Sequence, residues 1–167
     1  MKKIIIAIAL VFGLSSANAQ TFEEGTSVIQ LGAALGSDFG LPLGGSYEYG
    51  ITDKIGVGAY VGYASKSFDS GFIFSNYKAT YTIFGAKGNY HFYNTDKFDA
   101  YGGLLIGYNS VSFTYSDSTA GYVAPSAGGT LIAPSVGARY YFTDNIAAFA
   151  ELGYGIGYLT AGLAYKL

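Results

Sequence analysis

Thr52-Asp53-Lys54-Ile55 is the first of three copies of one short phrase, followed by Thr95-Asp96-Lys97-Phe98 and Thr143-Asp144-Asn145-Ile146. Each copy comes after a run rich in Tyr or Phe and before another alternating run. Each is therefore predicted to be a tight hairpin turn, with Asp53, Asp96 and Asp144 as its turn residues. The three Asp residues are 43 and 48 positions apart, which leaves room for two strands and one longer connection between copies. The repeat predicts an up-and-down antiparallel β-structure.

Apolar and small or polar residues alternate with period two in the segments between these turns. Counting outward from the turns gives eight predicted strands: 27–35, 41–51, 55–64, 77–92, 98–109, 131–142, 146–155 and 158–167. The fifth predicted strand fits the alternation least well, because Leu104-Leu105-Ile106 interrupts it. More than half of residues 20–167 would then be strand. The usual content is about 20–25%, and so large an excess favours a closed sheet. Lengths of about ten residues suit strands that cross a bilayer at a tilt.

The two ends of this sheet are predicted to differ, since the connections opposite the short turns are 36–40, 65–76, 110–129 and 155–157. Short turns at one end and longer loops at the other are typical of outer-membrane β-barrels, whose turns are periplasmic. Aromatic residues near the short turns are expected to form a girdle at the headgroup level: Tyr47, Tyr49, Tyr90, Phe92, Tyr140, Phe142 and Tyr165. Phe68, Phe72, Ile73 and Phe74 either continue the barrel wall or form a surface binding patch.

Low charge is the main compositional signal. Only 12% of residues are charged, about half of what a water-soluble domain carries. A membrane barrel needs apolar side chains at alternate positions only, so it can have this composition without an apolar run of helical length. There is no Cys, which excludes disulfides and thiol chemistry.

The N-terminus has the pattern of a cleaved export signal. Met1-Lys2-Lys3 is a positive start, residues 4–14 are apolar, and Ala17-Asn18-Ala19 is a small-residue cleavage site defined by Ala17 and Ala19. The prediction is a signal peptide at 1–19 and one barrel domain at 20–167; the alternative is a retained anchor. Removing Lys2 and Lys3 leaves seven basic and eleven acidic residues. This net negative charge does not predict nucleic-acid binding, which requires a basic surface.

Polar residues on the predicted inward face form the candidate site. They are Glu48, Lys87, Asn89, His91, Arg139, Glu151 and Lys166. Because side chains can just fill an eight-stranded barrel, these residues are expected to form a salt-bridged plug, with Arg139 and Glu151 nearly opposite each other across the third turn. The alternative is a narrow ion pathway.

The sequence gives little support for a catalytic site or a cofactor-binding site. His91 is the only histidine, so any Ser/His/acid site would depend on it, and its position near a periplasmic turn favours a structural role. Metal ligands are too scattered for a metal site. The glycine-rich stretch Gly153-Tyr154-Gly155-Ile156-Gly157 precedes no helix, so it does not predict phosphate binding. Neither an enzyme nor a cofactor is predicted.

Three stretches resemble the small outer-membrane barrels of the OmpA/OmpX type, and more closely the short "porin family" barrels of Bacteroidota-like bacteria. They are Gly85-Ala86-Lys87-Gly88-Asn89-Tyr90-His91-Phe92, Gly137-Ala138-Arg139-Tyr140-Tyr141-Phe142-Thr143-Asp144-Asn145 and Ala161-Gly162-Leu163-Ala164-Tyr165-Lys166-Leu167. The resemblance implies the outer membrane of a Gram-negative bacterium, with its lipids and its barrel-assembly machinery as partners. Leu163, Tyr165 and Leu167 would be the assembly signal, although such barrels commonly end in an aromatic residue and this chain ends in Leu167.

The function expected from these features is that of a non-catalytic integral outer-membrane barrel with a structural or surface-interaction role, present as a monomer. Two alternatives remain. One is a small porin-like channel. The other is a soluble, secreted ligand-binding barrel of lipocalin shape, with its apolar face turned inward and its charged face outward.

Overall fold

Eight antiparallel strands form a closed barrel in the computed structural model, which describes residues 20–36, 40–68, 77–115, 126–153 and 155–167. Each strand pairs with its neighbours in sequence, and the last pairs with the first. The strands are β1 (Ser27–Leu35), β2 (Leu43–Gly50), β3 (Ile55–Phe68), β4 (Tyr77–Asn94), β5 (Phe98–Tyr115), β6 (Ser126–Tyr141), β7 (Ile146–Gly153) and β8 (Leu159–Lys166). The predicted fold class, an eight-stranded up-and-down barrel, is confirmed. Among the described residues there is no helix of the length and apolarity that a membrane crossing requires.

The three Thr-Asp phrases form the tight turns between β2 and β3, β4 and β5, and β6 and β7. The Thr side chain makes the same hydrogen bond in each. The Thr hydroxyl accepts a hydrogen bond from the backbone N–H three residues later: Ile55 to Thr52, Phe98 to Thr95 and Ile146 to Thr143, all at 3.0 Å. This side-chain bond satisfies a backbone donor that the ladder cannot reach at the bend. The repeated Thr explains why the phrase recurs.

The apolar face of the barrel points outward. On β4, for example, Ile83 is fully buried inside the barrel whereas the next residue, Phe84, is 55% exposed on the outer surface. Large apolar side chains are exposed in this way on every strand. The lipocalin alternative required the opposite orientation, with charged residues outward, so that prediction is wrong.

Four strands extend beyond the predicted ends. β3 continues to Phe68 and β4 to Asn94, while β5 continues to Tyr115 and β6 begins at Ser126. Much of the predicted 110–129 loop is therefore strand, because the chain between Ser110 and Thr114 keeps its period-two pattern. The suspected break in β5 is absent: Leu104 and Ile106 face outward and Leu105 faces inward. Phe72, Ile73 and Phe74 lie outside the described residues, as does the 1–19 signal segment.

Two apolar clusters occupy parts of the barrel interior, and the one near the short turns lies at the same level as the polar residues, since Phe149 is opposite Arg139. Near the short turns the cluster consists of Val28, Tyr141, Ala147, Phe149 and Ala164. Near the other end it consists of Ala34, Ala64, Ile83, Leu105, Ala133 and Ile156. Side chains rather than solvent therefore occupy much of the interior, as the small diameter of eight strands predicts.

Candidate interior polar network

The seven polar residues assigned to the inward face do point into the barrel. Glu48 comes from β2, Lys87, Asn89 and His91 from β4, Arg139 from β6, Glu151 from β7 and Lys166 from β8. Period-two alternation explains this placement, since each residue has an outward-facing apolar or small neighbour in its own strand. Six of the seven join one connected network, and Lys166 lies apart from it.

Arg139 is the centre of the network and is 0% exposed. Its Nη1 donates to Asp99 Oδ2 at 3.0 Å, and its Nη2 donates to Gln30 Oε1 at 2.7 Å and to Glu48 Oε2. The guanidinium carbon also lies 4.5 Å from the centroid of the Tyr101 ring. A planar guanidinium suits this role, because it holds two carboxylates and an amide in fixed directions while its face stacks on an aromatic ring.

His91 lies between the same two carboxylates. Its Nδ1 is 2.6 Å from Asp99 Oδ1, and its Nε2 is 3.0 Å from Glu48 Oε1. An ionised carboxylate only accepts hydrogen bonds, and an imidazolium donates from both ring nitrogens, so this geometry suits a protonated His91 between two carboxylates. Two cations, Arg139 and His91, then balance two anions, Glu48 and Asp99. A charge-balanced, hydrogen-bonded cluster is the form in which buried charges can persist.

A second ion pair lies further along the interior. Lys87 Nζ donates to both carboxylate oxygens of Glu151, at 2.8 and 2.6 Å. The Tyr101 hydroxyl donates to Glu151 Oε2 at 3.0 Å and accepts from Gln30 Nε2 at 3.3 Å. Tyr101 and Gln30 therefore connect the Lys87–Glu151 pair to the Arg139 cluster.

Arg139 and Glu151 do not pair, so the predicted ion pair between them is wrong. Across the β6–β7 ladder Arg139 lies opposite Phe149, and Glu151 lies opposite Gly137. The two residues are thus one inward position apart, and each finds a nearer partner. Asp99 lies directly opposite Arg139 on the other side of β6.

Sequence reasoning missed Asp99, Gln30 and Tyr101 as members of the network. Asp99 carried a usable signal, because counting from the Thr95 turn places it one residue after the start of β5 and across from Arg139. The apparent break at Leu104-Leu105-Ile106 hid the inward face of that strand. Lys166 has a different environment, in which its Nζ lies 5.5 Å from the centroid of the Tyr141 ring.

The mouth of the barrel at the short-turn end is closed by the N-terminal segment, defined as residues 20–26. Phe22 is fully buried and stacks on His91, with ring centroids 3.6 Å apart and an interplanar angle of 10°. Thr21 N donates to Thr95 O at 3.0 Å, and Gly50 N donates to Thr26 O at 2.8 Å. The segment therefore reaches from the β4–β5 turn to the end of β2.

Local chemistry explains how this segment is held. Asn94 Oδ1 accepts from Thr21 N at 3.0 Å and from the Thr21 hydroxyl at 2.7 Å, while its amide donates to Phe22 O. Gly25 has φ +86°, a conformation that favours glycine, and it turns the chain into β1. Nothing in the alternation pattern of the strands could reveal this contact, because the segment precedes the first strand.

The other end of the interior is filled by Ile156, which is 4% exposed and lies between Gly155 and Gly157 in the β7–β8 connection. Beside it, a cavity of about 30 Å³ is bordered by Tyr60, Lys87 and Glu151. A neighbouring cavity of about 20 Å³ shares these three residues. Each has room for about one water molecule, far less than a column of solvent.

His91, the residue on which a Ser/His/acid site would depend, is enclosed by its neighbours. Both nitrogens of His91 are bonded and Phe22 covers its ring, so the imidazole has no open position toward a substrate. In the described ranges, no group of three or more His, Cys, Asp or Glu residues is arranged to hold a metal ion.

No protein-family model matches the chain, and no curated protein matches it. Solved structures do. The attachment invasion locus protein Ail of Yersinia pestis, solved with the heparin analogue sucrose octasulfate, superposes with a TM-score of 0.60 at 17% identity, over 86% of this chain and 99% of Ail. The N-terminal β-barrel domain of Pseudomonas aeruginosa OprF gives 0.59 at 20% identity, over 86% and 98%.

OprG, an outer-membrane protein of Pseudomonas aeruginosa, gives a TM-score of 0.57 at 18% identity, over 87% of this chain and 97% of OprG. These neighbours are small outer-membrane barrels, and the match covers nearly the whole length of each. The identities are too low to transfer a function. This chain has the fold of the small, eight-stranded outer-membrane β-barrels, as its resemblance to the OmpA/OmpX type implied.

Proposed function

We propose that this protein is an integral outer-membrane β-barrel without catalytic activity, whose role is structural or depends on contacts made at the cell surface. One observation carries the proposal: the barrel is apolar on its outer wall and encloses a buried polar network. Leu31, Val61, Phe84 and Ile132 are more than half exposed on the outer wall, whereas Arg139 and its partners are buried within. An exposed apolar surface of this extent is stable in contact with lipid and would aggregate in water.

The closed backbone supports the same proposal. Hydrocarbon offers no hydrogen-bond partners, so a spanning sheet must satisfy its own backbone, and a closed barrel has no open edge. β8 pairs with β1 from Val28↔Lys166 to Leu35↔Leu159. The neighbours in structure are outer-membrane proteins, which favours that membrane.

The proposal includes export through a signal peptide at 1–19 and cleavage after Ala19. It also includes insertion by the barrel-assembly machinery, which would read Leu163, Tyr165 and Leu167 at the end of the chain. These three side chains lie on the outer face of β8 and its end, where an assembly factor has access to them. Outer-membrane lipids are the proposed partners of the outer wall, and a monomer is the proposed state.

Fractionation tests the proposal. Membranes from cells that express the full chain are washed with carbonate or urea and then extracted with detergent. The protein should remain in the washed outer-membrane fraction and migrate faster in unheated than in heated detergent gels. Release into buffer without detergent would contradict membrane integration.

A porin-like channel is the second candidate, and the two cavities favour it, because the charged side chains of Lys87 and Glu151 border both. The structural role is favoured by the closed mouth at Phe22 and the packing around Ile156, because both fill the barrel interior. Bilayer conductance separates the two, as set out in the Discussion.

A further inference from the structure

The barrel wall is much taller on one side than on the other. β3, β4, β5 and β6 have 14, 18, 18 and 16 residues, whereas β2, β7 and β8 have eight each. The ladders continue into the tall part, from Ser65↔Thr80 to Ser67↔Lys78 and from Thr82↔Ser110 to Lys78↔Thr114. The tall part is therefore a regular sheet.

The outer face of this tall part changes character at one level of the register. The paired row Val61, Phe84 and Tyr108 is apolar or aromatic and exposed. Beyond that row, the outward positions of β3, β4 and β5 are Ser or Thr, except for the exposed Tyr63 and Lys78. We define the hydroxyl face by six of these Ser and Thr residues: Ser65, Thr80, Thr82, Ser110, Ser112 and Thr114.

Strand propensity accounts for the three threonines of the hydroxyl face, because threonine favours strands and serine does not. Ser110 and Ser112 nevertheless alternate with inward-facing Val111. The change occurs within one outward position on adjacent strands, which a solvent boundary requires and a local turn does not. The row of Val61, Phe84 and Tyr108, with Tyr63 directly above it, thus marks the upper edge of the apolar band.

The few charged residues at the outward positions indicate which class of partner this face can bind. In the described part of the extension, the outward positions of β3, β4, β5 and β6 carry one cation, Lys78, and no carboxylate. Such a surface offers many neutral donors and acceptors in a rigid lattice, with strands about 4.8 Å apart. It matches a partner that is itself dense in hydroxyl groups, and it lacks the clustered cations that recognise phosphate or sulfate.

We propose that the hydroxyl face binds the saccharide headgroups of glycolipid in the outer leaflet. Continuity with the lipid-facing band selects this partner, because a glycolipid whose acyl chains lie against Val61, Phe84 and Tyr108 presents its sugars directly above them. The aromatic rings at the border suit the apolar faces of those sugars. This inference rests on the proposed membrane location.

The first test uses accessibility. The chain has no Cys, so Ser112→Cys, Ile106→Cys and Asp53→Cys each introduce a unique thiol. The proteins are inserted into vesicles of phosphatidylcholine, with or without lipopolysaccharide that lacks O-antigen, and treated with a bulky water-soluble maleimide. Lipopolysaccharide should slow the reaction of Ser112→Cys about tenfold and leave Asp53→Cys, in the opposite turn, unchanged.

The controls separate the inference from the proposed function. Ile106→Cys should be unreactive in both vesicles, since it lies in the apolar band. If Ile106→Cys reacts freely, the barrel does not span the bilayer and the proposed function fails. If Ile106→Cys is protected and Ser112→Cys reacts equally fast with and without lipopolysaccharide, only the present inference is overturned. Protection of Ser112→Cys on cells but not in these vesicles would overturn it in favour of a protein partner.

The second test removes hydroxyl groups while keeping shape. A variant with Thr80→Val, Thr82→Val, Ser112→Ala and Thr114→Val should fold, because valine fits strands well; the mobility of the unheated protein in gels verifies this. After detergent exchange, this variant should have at least about fivefold less bound lipopolysaccharide than the parent protein. Ser27→Ala, which removes a hydroxyl at the opposite end, should retain as much as the parent, and so should Lys78→Gln. Loss with Lys78→Gln alone, or equal retention by the hydroxyl-deleted variant, would overturn the proposal.

Discussion

Arg139 shows what a single residue contributes inside this barrel. Its guanidinium bonds to Asp99, Glu48 and Gln30, so three strands other than its own depend on one side chain. Burial removes the water that would otherwise compensate any missing partner. The cluster is therefore expected to fail as a unit, and the effects of removing two of its members should not add.

We predict that Arg139→Ala destabilises the barrel by about 3–5 kcal/mol, because it leaves Glu48 and Asp99 buried with too little positive charge. Urea unfolding from detergent micelles, followed by gel mobility, measures the effect. Adding Asp99→Asn to Arg139→Ala should recover part of the loss.

Glu151→Ala is the matched control, since its partner is Lys87 and not Arg139. Combined with Arg139→Ala it should give no recovery. Recovery with Glu151→Ala instead of Asp99→Asn would show that the two ion pairs are assigned wrongly.

Phe22 is the second residue with a large expected effect. It is fully buried against His91, so Phe22→Ala should cost about 3–5 kcal/mol, as truncation of a buried Phe does elsewhere. Phe92→Ala is the matched control, because Phe92 is exposed on the outer wall near the same mouth. Urea unfolding of both variants in micelles checks the prediction. Equal midpoints for Phe22→Ala and the parent would mean that the N-terminal segment does not close the mouth in solution.

At the scale of elements, sequence alone predicted the eight strands and their faces well, because period-two alternation and the Thr-Asp turns are local signals. β1 has the predicted bounds, 27–35. The end of β4 was harder, since the register shifts between His91 and Tyr93 and no local pattern announces a bulge. The strand extensions toward Tyr115 and Ser126 were missed because Gly, Ser and Thr are also typical of loops.

Partners inside the barrel were predicted less well than faces. The alternation shows which side chains point inward, but which of them meet depends on the stagger between strands that are distant in sequence. Gln30 and Arg139 are 109 residues apart and bond because closure brings β1 beside β8 and β7 near β6. A pair such as Arg139 and Asp99 could be found from the ladder of one hairpin, whereas Gln30 could not.

The interior elements also predict the transport behaviour. Reconstituted protein should give no steady, large conductance in planar bilayers, because Phe22, the Arg139 cluster and Ile156 fill successive levels of the interior. Lys87→Glu should be equally silent. Reproducible open-channel steps whose ion selectivity changes in Lys87→Glu would move the channel to first place among the candidate functions.

The whole molecule depends on one seam, where β8 closes on β1. Deleting residues 165–167 removes the pairing of Tyr165 and Lys166 with Ile29 and Val28, together with the bond from Leu167 N to Ser27 O. Backbone groups left open in hydrocarbon cost several kcal/mol each. The truncated chain should therefore stay unassembled in the periplasm and be degraded, which fractionation and immunoblotting would detect. Normal amounts of a compact, heat-modifiable truncated chain in the outer membrane would show that the seam closes without these residues.

The low wall formed by β7, β8, β1 and β2 has a consequence for the surrounding bilayer. A strand of eight residues is about 27 Å long, and at the usual tilt it rises only about 20 Å, less than the apolar band of about 25 Å typical of such barrels. Lipids beside this flank must compress to match it, at a fraction of a kcal/mol per Å. The barrel should consequently resist urea best in short-chain lipid, and the thinness of bacterial outer membranes suits it.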